Sequence, residues 1–236
     1  MIDDARSQAI GTAHATPNPF GRVWDAFLSG GQTADGRHDT PYWRAHEGPY
    51  AACIVRVPAD VLQPDLNALR GELERLDGVR LHPDYFLHIM LQELGFIVEH
   101  PTRPDELTPA RLEEFAQAAV GAVASMAPAA VSVGGVNSFE DAVFLEVHPG
   151  ATLRAMHERL FDLAAIPYVP AYPYLPHCTI AHYDGSVPAA AARAALQPWR
   201  DAICGDFEIA EIEVVTLDTA TPYPVLESYA VIPVGF

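Results

Sequence analysis

Two short stretches carry residue types that could act together on a phosphate. His177 and Thr179 stand two residues apart in the run 174–183 (YLPHCTIAHY), whose β-branched and aromatic residues lie between Pro-rich and Gly-containing breaks. That composition predicts a short β-strand. Alternation along a strand puts His177 and Thr179 on one face with Leu175, Ala181 and Tyr183, and Cys178, Ile180 and His182 on the other. The strand itself holds the imidazole and the hydroxyl about 7 Å apart. This spacing suits gripping a phosphate while moving a proton. A core histidine beside a buried threonine is the competing reading, and a second copy of the arrangement decides between them.

The elements that would position this strand recur. Residues 51–57 read as a strand stopped by Pro58, and 142–147 as a strand stopped at Pro149-Gly150. Leu62, Leu66, Leu69, Leu73 and Leu76 mark one face of an amphipathic helix that Asp77-Gly78 ends. Leu153, Met156, Leu160, Phe161 and Ala164 mark its counterpart. A loop rich in proline and aromatic residues then leads, in each unit, to a strand bearing a histidine: 85–95 with His88, and the stretch with His177. The two histidines are 89 positions apart, and the parts between come in the same order. The chain thus reads as an internal duplication. Two lobes would each deliver one strand-borne histidine to a shared cleft. Another helix begins at Thr108-Pro109. A short strand is expected at 131–133, an Ala-rich helix near 188–196, and final strands near 207–217 and 227–234.

The sequence from His177 to Ile180, preceded by Pro176, resembles the His-x-Thr-x motif of the 2H phosphoesterases. That superfamily includes the 2′–5′ RNA ligase-like proteins and RNA 2′,3′-cyclic phosphodiesterases. His88-Ile89-Met90-Leu91, followed by Leu94-Gly95, resembles its first motif. The segment 133–160, with Gly135 and Phe139 in a turn, is similar as well. The resemblance runs from about Tyr50 to the C-terminus. It implies an α+β, bilobal, pseudo-twofold fold, with two antiparallel-rich sheets lining a central cleft and helices outside. It also implies catalysis by His88 and His177, one as base and the other as acid, with Thr179 holding a non-bridging oxygen; of the two assignments, His177 activating water and His88 protonating the leaving 2′ oxygen is the preferred one. Histidine suits both proton-transfer roles because its unperturbed pKa is about 6.5. Met90 departs from the motif, which usually has Thr or Ser there, and a thioether cannot donate a hydrogen bond.

Composition bounds the partners. Lys and Arg number 14 against 31 Asp and Glu, a formal charge of −17, so duplex nucleic acid is not expected as a partner. A small cyclic phosphate or an RNA 3′ end remains compatible. Half of the residues are hydrophobic, which supports a substantial core. No apolar run approaches the roughly 18 residues of a membrane span, and the N-terminus lacks a signal-peptide pattern. The three cysteines show no metal or disulfide spacing. A cytoplasmic monomer is the expectation, with no cofactor and no metal, since neither HExxH nor a Cys/His cluster appears. His182 is expected to be structural.

Phe86, Tyr183, Tyr168 and Tyr172 are candidates for base stacking, with Met90 packing against an apolar substrate group. Arg56 and Arg80 are candidate phosphate contacts. Residues 1–48 are expected to form an arm packed on the body, and 49–236 a single bilobal domain. The leading reading is a metal-independent phosphodiesterase for a cyclic phosphodiester, with reverse 2′–5′ ligation at the same site. Met90 keeps open a catalytically impaired nucleotide- or phosphate-binding relative, or an enzyme acting on a non-nucleotide metabolite.

Overall fold

The computed structural model describes residues 18–36, 40–166 and 173–235. Among these residues, one sheet is built from β1 Tyr50–Arg56, β2 Val79–Leu81, β3 His88–Ile97, β4 Glu106–Leu107, β5 Ala129–Ser138, β6 Ala142–His148, β7 His177–Tyr183, β8 Ile203–Ile209, β9 Glu211–Leu217 and β10 Glu227–Pro233. Its main path is β10-β9-β1-β3-β7-β6-β5-β8, with β4 on β3 and β2 on β7. Outward from the centre, β3 matches β7, β1 matches β6, β9 matches β5 and β10 matches β8. This is the pseudo-twofold order the duplication implies. The two expected sheets are the halves of one continuous sheet, joined at β3 and β7 through the single residue pair Ile89 and Cys178.

Most of the helices cover one face and reinforce the join. The described helices are α1 Pro19–Ser29, α2 Thr40–Arg44, α3 Asp65–Leu73, α4 Pro109–Ala124, α5 Gly150–Ala164 and α6 Ala189–Leu196. Helix α5, which follows β6, packs against β3 of the other half. Helix α3, which follows β1, packs against α6, and the 3-10 turn Ala59–Leu62 packs against β8. Each half therefore lends its helix to the other. Leu62, Leu66, Leu69 and Leu73 are fully buried, as are Leu153, Met156 and Leu160. The expected helix across 62–76 is divided at Pro64, which lacks the N–H that a continuous helix would use.

The strands differ from expectation where bulges intervene. The first histidine strand begins at His88, after a 3-10 turn Asp84–Phe86. Strand β5 runs straight through Gly134-Gly135, where its register with β6 shifts, so these glycines form a bulge instead of a break. The stretch 207–217 is two strands that part at Ala210. At Gly95, φ is +117°, and a Cβ would collide with the Asp105 carbonyl where β4 joins β3. Glycine is required there by both conformation and space.

Candidate active site

The two motif strands lie side by side at the seam. Ile89 pairs with Cys178, so one step along each strand sets His88 across from Thr179 and Met90 across from His177. Ile89, Cys178 and Ile180 point into the main core and are fully buried. His88, Met90, His177 and Thr179 share the opposite face and are partly exposed. The structure thus brings together the four residues expected from the two motifs.

Both histidines are held the same way. His88 Nδ1 lies 2.7 Å from the Phe86 carbonyl oxygen, and His177 Nδ1 lies 2.7 Å from that of Leu175. A carbonyl only accepts, so each Nδ1 carries the proton, and in the neutral ring Nε2 keeps its lone pair. Each ring also meets an aromatic edge. Phe86 lies 5.2 Å from His88, and Phe139 and Phe144 lie 5.2 and 5.0 Å from His177.

Burial pushes both imidazoles below the ordinary histidine range, because desolvation penalises the charged form. The carbonyl contacts oppose that shift in both. Their remaining neighbours differ: His177 and Arg56 lower His88 further, whereas Asp141 raises His177.

Strand β3 needs support at a seam with so little pairing. Tyr174 donates its hydroxyl to the Met90 carbonyl at 2.9 Å, and His157 Nδ1 meets the Leu91 carbonyl at 2.7 Å. The two rings stack at 4.2 Å. The loop before β7 and helix α5 thereby fix the height of β3. Long sequence separations hide both contacts from pattern reading.

The strands next to the seam contribute charge. Arg56 is the cross-strand partner of His88 and donates to Glu213 and to the Leu226 carbonyl, each at 2.7 Å. Glu146 is the cross-strand partner of His177. It is buried and accepts from Asn137 and Arg200 at 2.8 Å, with His148 Nε2 at 3.1 Å. Arg56 was a sequence candidate; Glu146 was not, since nothing local marks it.

A bulge corrects two expectations. Val143 pairs with Ala181 and Phe144 with Thr179, so Ile180 is the extra residue on β7. Ile180 and Ala181 both enter the core, and the alternation reverses beyond them. Tyr183, expected on the His177 face, is fully buried in the core, where its hydroxyl meets Ser138 at 2.9 Å. His182, expected to face away, comes to the cleft side instead. There it meets buried His82 at 3.1 Å, and Tyr223 packs 4.8 Å from the His82 ring. Burial, with help from His182, pushes His82 down to about 2. Phe86 does lie beside His88, on the turn that precedes the strand. Arg80 pairs with Asp35 at 3.5 Å and donates to the Tyr183 carbonyl. Tyr168 and Tyr172 lie outside the described residues. Among the described residues, no three His, Cys, Asp or Glu side chains converge as a metal-binding group. No described helix is long and apolar enough to cross a membrane.

The family model of the 2′-5′ RNA ligase superfamily matches residues 58–221, which include both histidine strands. The chain belongs to this superfamily. It is thereby a 2H phosphoesterase, and solved structures agree on the fold. Escherichia coli LigT complexed with NADP+ superposes with a TM-score of 0.61 at 14% identity, covering 80% of this chain and 100% of LigT. LigT complexed with 3′-AMP gives 0.60 at 14% identity, with the same coverage. TT0787 of Thermus thermophilus gives 0.55 at 18% identity, covering 78% of this chain and 97% of its own. No curated protein sequence matches the chain. The superfamily match begins after β1, so α1, α2 and the segment between them lie outside it.

Proposed function

We propose that this 2H phosphoesterase hydrolyses a cyclic phosphodiester, a 2′,3′-cyclic phosphate of a nucleotide or RNA end, by metal-independent acid–base catalysis between His88 and His177. The observation that carries this reading is the matched pair of Nδ1–carbonyl contacts, which leaves both Nε2 atoms available on one face of adjacent strands. In-line hydrolysis needs a base for the attacking water and an acid for the leaving oxygen, on opposite sides of phosphorus. In this reading His177 takes the proton from water. Asp141 favours the imidazolium that forms through its charge. His88, which enters the cycle as an imidazolium with a second proton on Nε2, delivers that proton to the leaving 2′ oxygen; Arg56 makes it easier to release. Thr179 donates to a non-bridging oxygen. The reverse sequence would form a 2′–5′ linkage at the same site. LigT has been crystallised with 3′-AMP and with NADP+, which fits a small phosphate-bearing ligand here.

The test is hydrolysis of a panel of cyclic phosphates in excess EDTA by wild type, His88→Ala and His177→Ala. Each substitution is expected to lower kcat by about 10²–10⁴. Full activity in both variants would overturn the histidine roles, and loss of wild-type activity in EDTA would overturn metal independence. A substrate with bridging sulfur at the leaving position needs no proton there. It is expected to rescue His88→Ala and not His177→Ala; the opposite pattern exchanges acid and base.

Met90 favours a second reading, that of a binding protein with little turnover. It stands where the motif usually has a hydroxyl, and it packs against the apolar cluster of Tyr50, Ile54 and Phe96. Nucleotide binding without hydrolysis of any substrate on the panel would select it.

A further inference from the structure

The residues before β1 reach the histidine-bearing face of the sheet on both sides of the seam, through Phe20 of α1 and through the segment of α2, while Trp24 and Phe27 of α1 enter the main core. On the β7 side, α1 lays Phe20 against His148 at 5.0 Å and near Phe144 at 6.4 Å, and Asn137 donates to the Phe20 carbonyl at 3.0 Å. Phe144 is the ring that touches His177. On the β3 side, the segment of α2 stacks Trp43 on Tyr50 at 5.1 Å and His46 on Phe96 at 3.9 Å. These partners lie in the apolar cluster that Met90 joins. Between the two helices, the chain is tied down beside the far end of β7. Thr33 donates its hydroxyl to the Val187 carbonyl at 2.9 Å, and Gly36 donates its N–H to that of Tyr183 at 3.0 Å. A Cβ at Gly36 would come within 2.8 Å of the His182 ring and 2.9 Å of the Asp141 carbonyl. The backbone at Gly36 therefore fills the space above His182, three residues along the strand from Thr179.

We propose that this N-terminal segment is a specificity element. It closes the His182 end of the cleft and walls its two flanks, so that the site takes a mononucleotide-sized cyclic phosphodiester and excludes the body of an RNA chain. The proposal rests on the reading of the site as a cyclic phosphodiesterase. Charge acts in the same direction: a chain of net −17 repels a polyphosphate more strongly than a single phosphodiester, because repulsion grows with the number of phosphates. A polynucleotide held by its 3′ end must leave the histidine pair along the cleft, and toward His182 it meets the backbone at Gly36.

The experiment compares a nucleoside 2′,3′-cyclic phosphate with a ten-nucleotide RNA ending in the same group. Wild type, a variant lacking residues 1–48, and the double variant Thr33→Ala, Gly36→Val are assayed for kcat/KM on both substrates. The double variant removes the hydroxyl tie and, through the added side chain, forces the backbone at position 36 away from His182 and the Asp141 carbonyl; it keeps the apolar contacts of both helices, so it serves if the truncated chain fails to fold. Wild type is expected to prefer the mononucleotide by at least about tenfold, and loosening the segment to shrink that ratio by raising activity on the RNA. An unchanged ratio in an active double variant overturns the proposal, as does equal wild-type activity on both substrates. Equilibrium binding of 3′-AMP and of a ten-nucleotide RNA 3′-phosphate is measured alongside. If wild type turns over neither substrate, the phosphodiesterase reading fails. Binding then still decides: discrimination that the double variant loses supports the wall, and none refutes it.

Discussion

The two histidine strands have the same local build but opposite surroundings. Each imidazole is fixed through Nδ1 to the carbonyl two residues before it, at the same 2.7 Å. Each has an arginine–glutamate pair beside it, but the polarity is reversed. Arg56 stands directly across from His88, with Glu213 one strand further out, whereas Glu146 stands across from His177, with Arg200 behind it. Burial differs too. The Glu146 side chain is 7% exposed and that of Arg200 15%, against 37% for Arg56 and 10% for its partner Glu213. The first half thus presents a half-exposed cation to the cleft, and the second buries an anion beneath it. Duplicated strands fix where the two histidines stand. The adjacent strands then make them unequal, as the proposed acid and base must be.

The largest way to break this comparison is to remove the charge opposite each histidine. Glu146→Ala is expected to destabilise the fold by about 3–5 kcal/mol, because Arg200 would be left buried without its partner. Arg56→Ala is expected to cost less, about 1–3 kcal/mol, because it leaves Glu213 buried without its partner but the arginine itself was already partly screened by solvent. Urea denaturation midpoints compare the two. Similar losses would show that the halves are not electrostatically distinct.

A smaller contrast lies in the motifs themselves. Thr179→Val is expected to lower kcat by about 10²–10³, the usual cost of losing a donor to developing charge. Met90→Leu is expected to change it less than about threefold, because the two side chains are similar in volume and neither donates. Met90→Thr should then raise turnover, by supplying on β3 the hydroxyl that β7 already has. Single-turnover rates on the cyclic phosphate measure all three, and no gain in Met90→Thr would remove position 90 from the phosphate's surroundings.

What could be read beforehand follows the range of the interactions. The 89-residue offset, the helix stripes and the four motif residues are local patterns, and each was legible in the sequence. The pairing of Arg56 with His88 and of Glu146 with His177 depends on strand neighbours that no local window contains. The bulge at Ile180 was equally hidden. Strict alternation put Tyr183 in the cleft, but one extra residue opposite Val143 and Phe144 sends it to the core and turns His182 outward. Continuity of the sheet was obscured because its halves meet through one residue pair. The segment before β1 carried only an apolar surplus, in Trp24, Phe27, Tyr42 and Trp43, of which the first two enter the main core. Its placement depends on Tyr50, Phe96, Phe144 and His148, which lie far along the chain.

The finest test of the asymmetry reads each histidine directly. Burial holds both pKa values below the free-histidine range, so both rings stay neutral to lower pH than an exposed imidazole. Arg56 adds to that lowering at His88, because a nearby cation disfavours the imidazolium; Asp141 opposes it at His177, because an anion favours it. Arg56→Gln should therefore move the His88 titration to higher pH, and Asp141→Asn should move that of His177 to lower pH, each by less than about one unit. Proton NMR of the two ring C–H signals across the titration gives both values, with His88→Ala and His177→Ala assigning the peaks. Shifts of the same sign would mean that both imidazoles feel one common field, and the separation of acid from base would then have to come from the bound phosphate itself.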